Sequence, residues 1–262
     1  MDRERAAPRV NVLGVGVSAV NIADAVTTLH RWIHERGAHY VCVTGVHGVM
    51  ESQRDPSLRR IHNDADLVTP DGMPLVWIGR AFGHDRMTRV YGPDLLLAMC
   101  AAPSATQLRH FFFGSTPEVL SRLIDRLRIR FPHLNVCGTI SPPYHAISDD
   151  QDASLTDAIN AASPDIVWVG LGTPKQERWM AAHLGRIDAP VLIGVGAAFD
   201  FISGAKRQAP RWMQRSGLEW LFRLGSEPRR LARRYLINNP AFLWQLLLQS
   251  IGVRQHKLDE ST

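Results

Sequence analysis

Short apolar runs rich in β-branched residues alternate along the chain with stretches whose apolar residues recur at helical spacing, the pattern of an α/β protein. The runs predict strands at Val10–Val17, Tyr40–Thr44, Leu67–Thr69, His110–Phe113, Asn135–Thr139, Ile166–Leu171 and Val191–Val195. Most lack the period-two alternation of a half-exposed strand, so a mostly parallel, Rossmann-like sheet with helices on both faces is expected. Helices are predicted to start near Asn21, Pro93, Pro117, Ser148 and Pro174, several with proline in the first turn, where a missing N–H costs nothing. After Gly196 the strand signals stop. The remainder reads as helical, with Gly225 as a stop, Ser226 and Asn239 as N-caps, and Pro228 and Pro240 in first turns. The expected organisation is an α/β domain over 1–205 and a basic helical appendage over 206–262.

With 262 residues, 45% of them hydrophobic and 21% charged, the chain can bury a substantial core, which excludes disordered and collagen-like classes. Cys42, Cys100 and Cys137 lie far apart in apolar runs and form neither a disulfide ladder nor a paired zinc motif, which fits a reducing compartment. The charged leader Met1–Arg9 runs straight into a strand pattern, and no apolar stretch reaches the ~18 residues needed to span a bilayer, so a cytoplasmic protein is expected. The net charge of +5 is unevenly spread. Nine Lys/Arg fall between Lys206 and Arg234 against only Glu219 and Glu227, which leaves the rest of the chain slightly acidic. Such a basic segment points to an anionic partner: a nucleotide diphosphate, a lipid phosphate, an acidic membrane face or nucleic acid.

Parallel α/β sheets bind ligands beyond the carboxyl ends of their strands, and five such ends are unusual here. Gly14-Val15-Gly16-Val17-Ser18 resembles a dinucleotide turn but lacks the third glycine and the later acidic residue, so a plain strand-to-helix turn competes. Thr44-Gly45-Val46-His47 offers a hydroxyl and an imidazole. Thr69-Pro70-Asp71-Gly72 sets a carboxylate at a strand end, either as a general base or as an ordinary turn residue. Gly114-Ser115-Thr116-Pro117 is an anion seat or simply a good N-cap. Gly170-Leu171-Gly172-Thr173-Pro174-Lys175-Gln176 is the most distinctive: its glycines admit close backbone approach, and the Gln176 amide could read a base or sugar edge.

Together with Arg89-Val-Tyr-Gly92-Pro-Asp94, Gly194-Val-Gly-Ala-Ala-Phe-Asp200 and Leu218-Glu-Trp-Leu-Phe-Arg223, followed by Glu227-Pro-Arg-Arg230, these motifs resemble the WecG/TagA/CpsF glycosyltransferases, in order from about Val10 to Leu236. The resemblance implies transfer of a sugar from a nucleotide donor, usually UDP-linked, to a polyprenyl-diphosphate-linked sugar at the inner face of the bacterial membrane, for cell-surface polysaccharide. It implies Asp71 as the base, with Thr44 and Arg89 beside it. Gly114, Gly172, Thr173, Gln176 and Asp200 are expected at the donor, and Arg223, Arg230 and Arg233 over its diphosphate. Family members commonly carry Thr-x-Asn where this chain has Thr44-Gly45-Val46-His47, so His47 is the candidate replacement in the sugar pocket.

The implied chemistry is an inverting displacement that needs the leaving diphosphate neutralised. Of the two Asp-x-Asp strings that could hold a metal, Asp64-Ala65-Asp66 precedes its strand and Asp150-Gln151-Asp152 opens a helix, so fixed guanidinium groups are expected to do this work and no metal or other cofactor is expected. From Ala241 to Ile251 the tail is apolar on most faces, with Gln245 and Gln249 as a polar stripe, and Phe242, Trp244 and Leu247 are expected to meet an anionic membrane surface. Two rivals are a Rossmann-like oxidoreductase, which the missing dinucleotide fingerprint disfavours, and a nucleic-acid-binding protein, which leaves the Asp71 and Gln176 corners idle. No nucleic-acid partner is expected.

Overall fold

The computed structural model describes residues 7–102, 107–143 and 148–258, so residues 1–6 of the charged leader fall outside the described residues. In chain order the elements begin with β1 (Arg9–Val12), β2 (Val15–Ser18), α1 (Ile22–Glu35), β3 (His39–Thr44), α2 (Val46–Arg54), α3 (Pro56–Asp64), β4 (Leu67–Pro70), α4 (Met73–Ala81) and α5 (Gly92–Ala101). They continue with β5 (His110–Gly114), α6 (Pro117–Arg130), β6 (Val136–Ile140), α7 (Asp149–Ala161), β7 (Ile166–Gly170), α8 (Lys175–His183), β8 (Val191–Gly194) and α9 (Ala198–Ile202). The tail carries α10 (Arg211–Arg215), α11 (Glu219–Ser226) and α12 (Pro228–Ser250). The chain forms two compact units. The first comprises Met1–Asn21, Thr44–Tyr91 and Gln208–Thr262; the second comprises Ile22–Val43 and Gly92–Arg207.

Within the second unit, strands β3, β8, β7, β5 and β6 lie side by side in that order and all parallel. Strands β5, β7 and β8 are buried along almost their whole length, which is why their sequences read as unbroken apolar runs rather than as alternation. Val169 pairs with Gly194, so Gly194 shares a face with Val169 and Gly170 points to the other. A Cβ at Gly194 would stand 2.7 Å from Met180 of α8, and one at Gly170 would stand 2.5 Å from the Phe199 ring of α9. The two helices therefore cover opposite faces, and they approach closely enough that only glycine fits beneath them. Helix starts follow the expected signals. Thr116 caps α6 with Pro117 behind it, and Ser148 and Gln151 exchange the two hydrogen bonds of a capping box at α7.

The first unit departs from the expected pattern in several places. Val10–Val17 is not one strand: β1 and β2 pair antiparallel, with Val12 opposite Val15, across a two-residue turn in which Leu13 and Gly14 have φ of 52° and 80°. Two left-handed residues give the turn whose twist matches paired strands. Asn63 accepts from the Gly16 N–H and donates to the Gly14 carbonyl, both at 2.9 Å, so these glycines form neither a phosphate loop nor a strand-to-helix turn. Helices α2, α3 and α4 fill segments for which periodicity predicted nothing.

In the tail, α11 runs through Gly225 to Ser226, whose hydroxyl donates back to the Phe222 carbonyl at 3.0 Å instead of capping the next helix. Helix α12 then continues for 23 residues with Pro240 inside it, so Asn239 caps nothing. Leu231, Asn238 and Phe242 form its buried face, and Leu236, Leu243, Trp244, Leu247 and Ile251 its exposed one. Phe242 is 2% exposed, so it is a packing residue and cannot meet a membrane with Trp244 and Leu247. Gln249 of the polar stripe turns inward, accepting from the Leu13 N–H at 2.9 Å and donating to the Asn11 carbonyl at 3.0 Å. Among the described residues no helix is long and apolar enough to cross a membrane.

Candidate functional site

In the first unit, Thr44 and Asp71 are tied through their main chains: the Asp71 N–H donates to the Thr44 carbonyl at 2.9 Å. Pro70 ends β4 and Gly72 is the N-cap of α4, so Asp71 sits in the two-residue link between strand and helix. Its side chain is one-third exposed (33%). A Cβ at Gly45 would stand 3.8 Å from Asp71 Oδ2, so the bare Gly45 backbone forms one wall beside the carboxyl. Thr44 Oγ1 is buried and has no hydrogen-bond partner among the described residues. An unpaired buried hydroxyl is costly, and such groups in native folds await a water or ligand.

Arg89 joins Asp71 to the tail. Its Nε donates to the Asp71 carbonyl. Its Nη2 lies 3.5 Å from Asp71 Oδ1 and 2.5 Å from Glu219 Oε2, and its Nη1 donates to Gln214 Oε1 at 3.3 Å. The guanidinium stacks 3.9 Å above the centre of the Tyr91 ring. Withdrawal from water pushes the Asp71 carboxyl up to about 6; Glu219 adds to the rise, while Arg89 and Arg223 oppose it. The same burial, reinforced by Glu219 and Asp71, raises the Tyr91 phenol and keeps it neutral.

A basic cluster joins α2 to the tail helices within this unit. Asn238 of α12 accepts from Arg54 and donates toward His47 Nδ1 at 3.4 Å. Burial, followed by the charges of Arg234, Arg54 and Arg223, drives the His47 imidazole down to about 3, so it is neutral and can accept a hydrogen bond at neutral pH. The arginines expected at a diphosphate divide here. Arg223 is partly buried and acts electrostatically on Asp71, Tyr91 and Glu219. Arg230 is exposed and paired with Glu227 one helical turn away, and Arg233 is exposed. The neighbour that turns inward is Arg234, whose Nε is buried without a hydrogen-bond partner among the described residues. Burial, then Arg223 and Arg230 against the opposing Tyr235, brings its guanidinium down to about 10, still charged. Two residues were therefore overlooked at the sequence level. Glu219 sits in the same motif as Arg223, and Arg234 follows the spacing of buried Leu231 and Asn238.

The second unit holds Gly114, Gly172, Thr173, Gln176 and Asp200. Gly114 faces the Gly170 backbone, which a Cβ would approach to 2.6 Å, and Glu118 hydrogen-bonds Thr116 at the start of α6. Gln176 is 1% exposed, and its Oε1 accepts from the Gly172 and Gly196 N–H groups at 3.2 and 3.0 Å. Its Nε2 donates to Glu177 Oε1 at 3.1 Å, and Thr173 donates to the same oxygen at 2.9 Å. Gln176 thus braces the loops after β7 and β8, with both ends of its amide engaged inside the protein. Glu177 Oε2 is buried without a hydrogen-bond partner among the described residues. Asp200 pairs with Lys206 at 2.9 Å.

Of the Asp-x-Asp residues, Asp152 is engaged by His183 at 3.0 Å and Arg186 at 2.8 Å, and among the described residues no group of three or more His, Cys, Asp or Glu side chains could hold a metal ion.

The family model described as "Glycosyl transferase WecG/TagA/CpsF family" matches residues 10–256. Two similar proteins carry one name, N-acetylglucosaminyldiphosphoundecaprenol N-acetyl-beta-D-mannosaminyltransferase. The protein from Bacillus spizizenii is 29% identical over 197 residues, covering 75% of this chain and 74% of its own length. The protein from Staphylococcus aureus is 22% identical over 251 residues, covering 95% and 96%.

Proposed function

We propose that this chain, which belongs to the WecG/TagA/CpsF family of glycosyl transferases, moves a sugar from a UDP-sugar to a polyprenyl-diphosphate-linked saccharide with inversion at the anomeric carbon. The acceptor class follows from the names of the relatives, which act on a diphosphoundecaprenol-linked N-acetylglucosamine. The observation that carries the mechanism is the Asp71 carboxyl, raised to about 6 at a strand end whose main chain is bonded to that of Thr44. In our reading the carboxylate takes the proton of the acceptor hydroxyl as that oxygen bonds to the anomeric carbon. The bond from that carbon to the diphosphate oxygen breaks, and its electron pair leaves with UDP. A base with a pKa just below neutrality is mostly ionised at pH 7 and still holds a proton better than an ordinary carboxylate.

Arg223 and Arg234 are our candidates to neutralise the departing diphosphate in place of a divalent ion, and Thr44 and neutral His47 to orient a sugar hydroxyl. For the donor nucleotide our candidates are the strand-end loops carrying Gly114, Gly172, Thr173 and Asp200, with Gln176 as their brace. The direct test is a panel of UDP-sugars offered with a prenyl-diphosphate-linked N-acetylglucosamine, with and without EDTA. Transfer from none of them would reject the reading, and transfer abolished by EDTA would reject its metal-free form.

We further place the protein at the cytoplasmic face of the membrane, held there by the exposed face of α12. Leu243, Trp244 and Leu247 present apolar surface there while Arg229, Arg230 and Arg233 stand exposed on the first turns of the same helix. Apolar insertion beside cations worth ~1 kcal/mol each suits an anionic bilayer. Replacing Leu243, Trp244 and Leu247 by serine is expected to remove sedimentation with phosphatidylglycerol vesicles while leaving transfer to a short-chain soluble acceptor near the parent rate. Undiminished sedimentation would show that another surface makes the contact.

A further inference from the structure

A guanidinium next to a lone carboxylate normally closes on it through two parallel N–H···O bonds and stabilises the charged form. Arg89 does not do this to Asp71. Its Nη2 is 2.5 Å from Glu219 and 3.5 Å from Asp71 Oδ1, and its Nη1 is held by Gln214 at 3.3 Å. Both holders lie on the tail, Gln214 on α10 and Glu219 at the start of α11. Gln214 is itself buried and fixed by donating to the Ala209 carbonyl at 2.8 Å. Stacking on Tyr91 fixes the plane of the guanidinium and leaves its rotation within that plane to the polar partners.

We propose that Glu219 is a positioning residue for the transfer: by taking the close contact with Arg89, it holds that guanidinium off the Asp71 carboxylate and keeps the base free to accept a proton. The inference rests on the assignment of Asp71 as base. It gives the tail a part in proton transfer that is separate from any contact with phosphate. The charged groups acting on Asp71 are Arg89 from the loop after α4, and Glu219 and Arg223 from α11, with buried Tyr91 neutral beside them. Removing the Glu219 charge acts in one direction by two routes: it takes away a repelling anion, and it releases Arg89 to pair with Asp71. Both make the carboxylate easier to ionise and a weaker base.

The test follows kcat/KM from pH 5 to 8 in the full chain and, separately, the titration of the Asp71 carboxyl by carbon-13 NMR, identified by its loss in Asp71→Asn. In the parent chain both should show a midpoint near 6, with the rate falling about tenfold per pH unit on the acid side because the base must be unprotonated. In Glu219→Gln both midpoints should move down by about one pH unit, with turnover at pH 7.5 reduced severalfold. Glu219→Asp should restore the parent midpoint. Gln214→Met, which releases the other hold on Arg89 without changing charge, should also lower the midpoint and serves if Glu219→Gln does not fold. A carboxyl midpoint that stays at the parent value in these variants overturns the proposal whatever the rates do. A carboxyl midpoint that moves without the acid limb of the rate supports the positioning of Arg89 by Glu219 and instead rejects Asp71 as the base.

Discussion

Asp71→Asn is expected to lower kcat by about 10²–10⁴-fold while leaving UDP affinity within a few fold. The substitution is isosteric, and the contacts that fix this corner survive it. The N–H donating to the Thr44 carbonyl and the carbonyl accepting from Arg89 both belong to the main chain. What disappears is the carboxylate proposed as the proton acceptor. Removing a carboxylate that burial already disfavours should not cost stability, so a melting temperature at or above that of the parent is expected alongside the lost rate. Initial rates with saturating acceptor, paired with calorimetric titration of UDP, separate the two quantities. Turnover within a few fold of the parent would remove Asp71 from the mechanism.

Arg234→Gln is expected to cost about a hundredfold in turnover, the usual scale for losing one fixed donor to a developing charge, whereas Arg233→Gln should stay within about twofold. The two residues are adjacent in sequence but lie about 100° apart around α12. The Arg234 Nε is buried without a hydrogen-bond partner among the described residues, and its charge is felt at His47; Arg233 is exposed. Arg223→Gln belongs with Arg234, since its charge also reaches Asp71 and His47, and Arg230→Gln with Arg233, since it is already engaged by Glu227. Steady-state rates of the four variants decide the matter. Equal losses at 233 and 234, or none at either, would assign the diphosphate to other groups.

The parts of this structure that could be read from sequence are those whose cause is local. β5, β7 and β8 announced themselves because strands covered on both faces are apolar throughout, and α6 and α7 because Thr116-Pro117 and Ser148-Gln151 are complete capping signals within four residues. Asp71 was legible for the same reason, since Pro70 and Gly72 bracket it at a strand end. The β1–β2 hairpin was not, because an apolar run looks continuous until Leu13 and Gly14 both turn left-handed. Side-chain direction was the larger gap. The Gln176 amide reads equally well as a ligand contact or a brace, and only its distances to Gly172 and Gly196 decide for the brace. Nothing in spacing relates Arg89 to Glu219, 130 residues later. On α12 the expected membrane face of Phe242, Trp244 and Leu247 is split: Phe242 is buried with Asn238, while Trp244 and Leu247 stay exposed.

The inward turn of Gln249 has a mechanical consequence. Two amide hydrogen bonds pin the far end of α12 to the corner of the β1–β2 hairpin, and Asn238, bonded to Arg54, holds it midway, so the helix is fastened at two points along its length. A rod held twice on the same side cannot roll about its axis. Whatever grips the row from Leu236 to Ile251 therefore grips the first unit at one fixed pitch, and Asp71 rides at a constant height and heading above that plane. Glutamine at 249 would then act as an alignment pin, and its loss would show as a spread of orientations on a supported bilayer before it showed in any rate measured in solution.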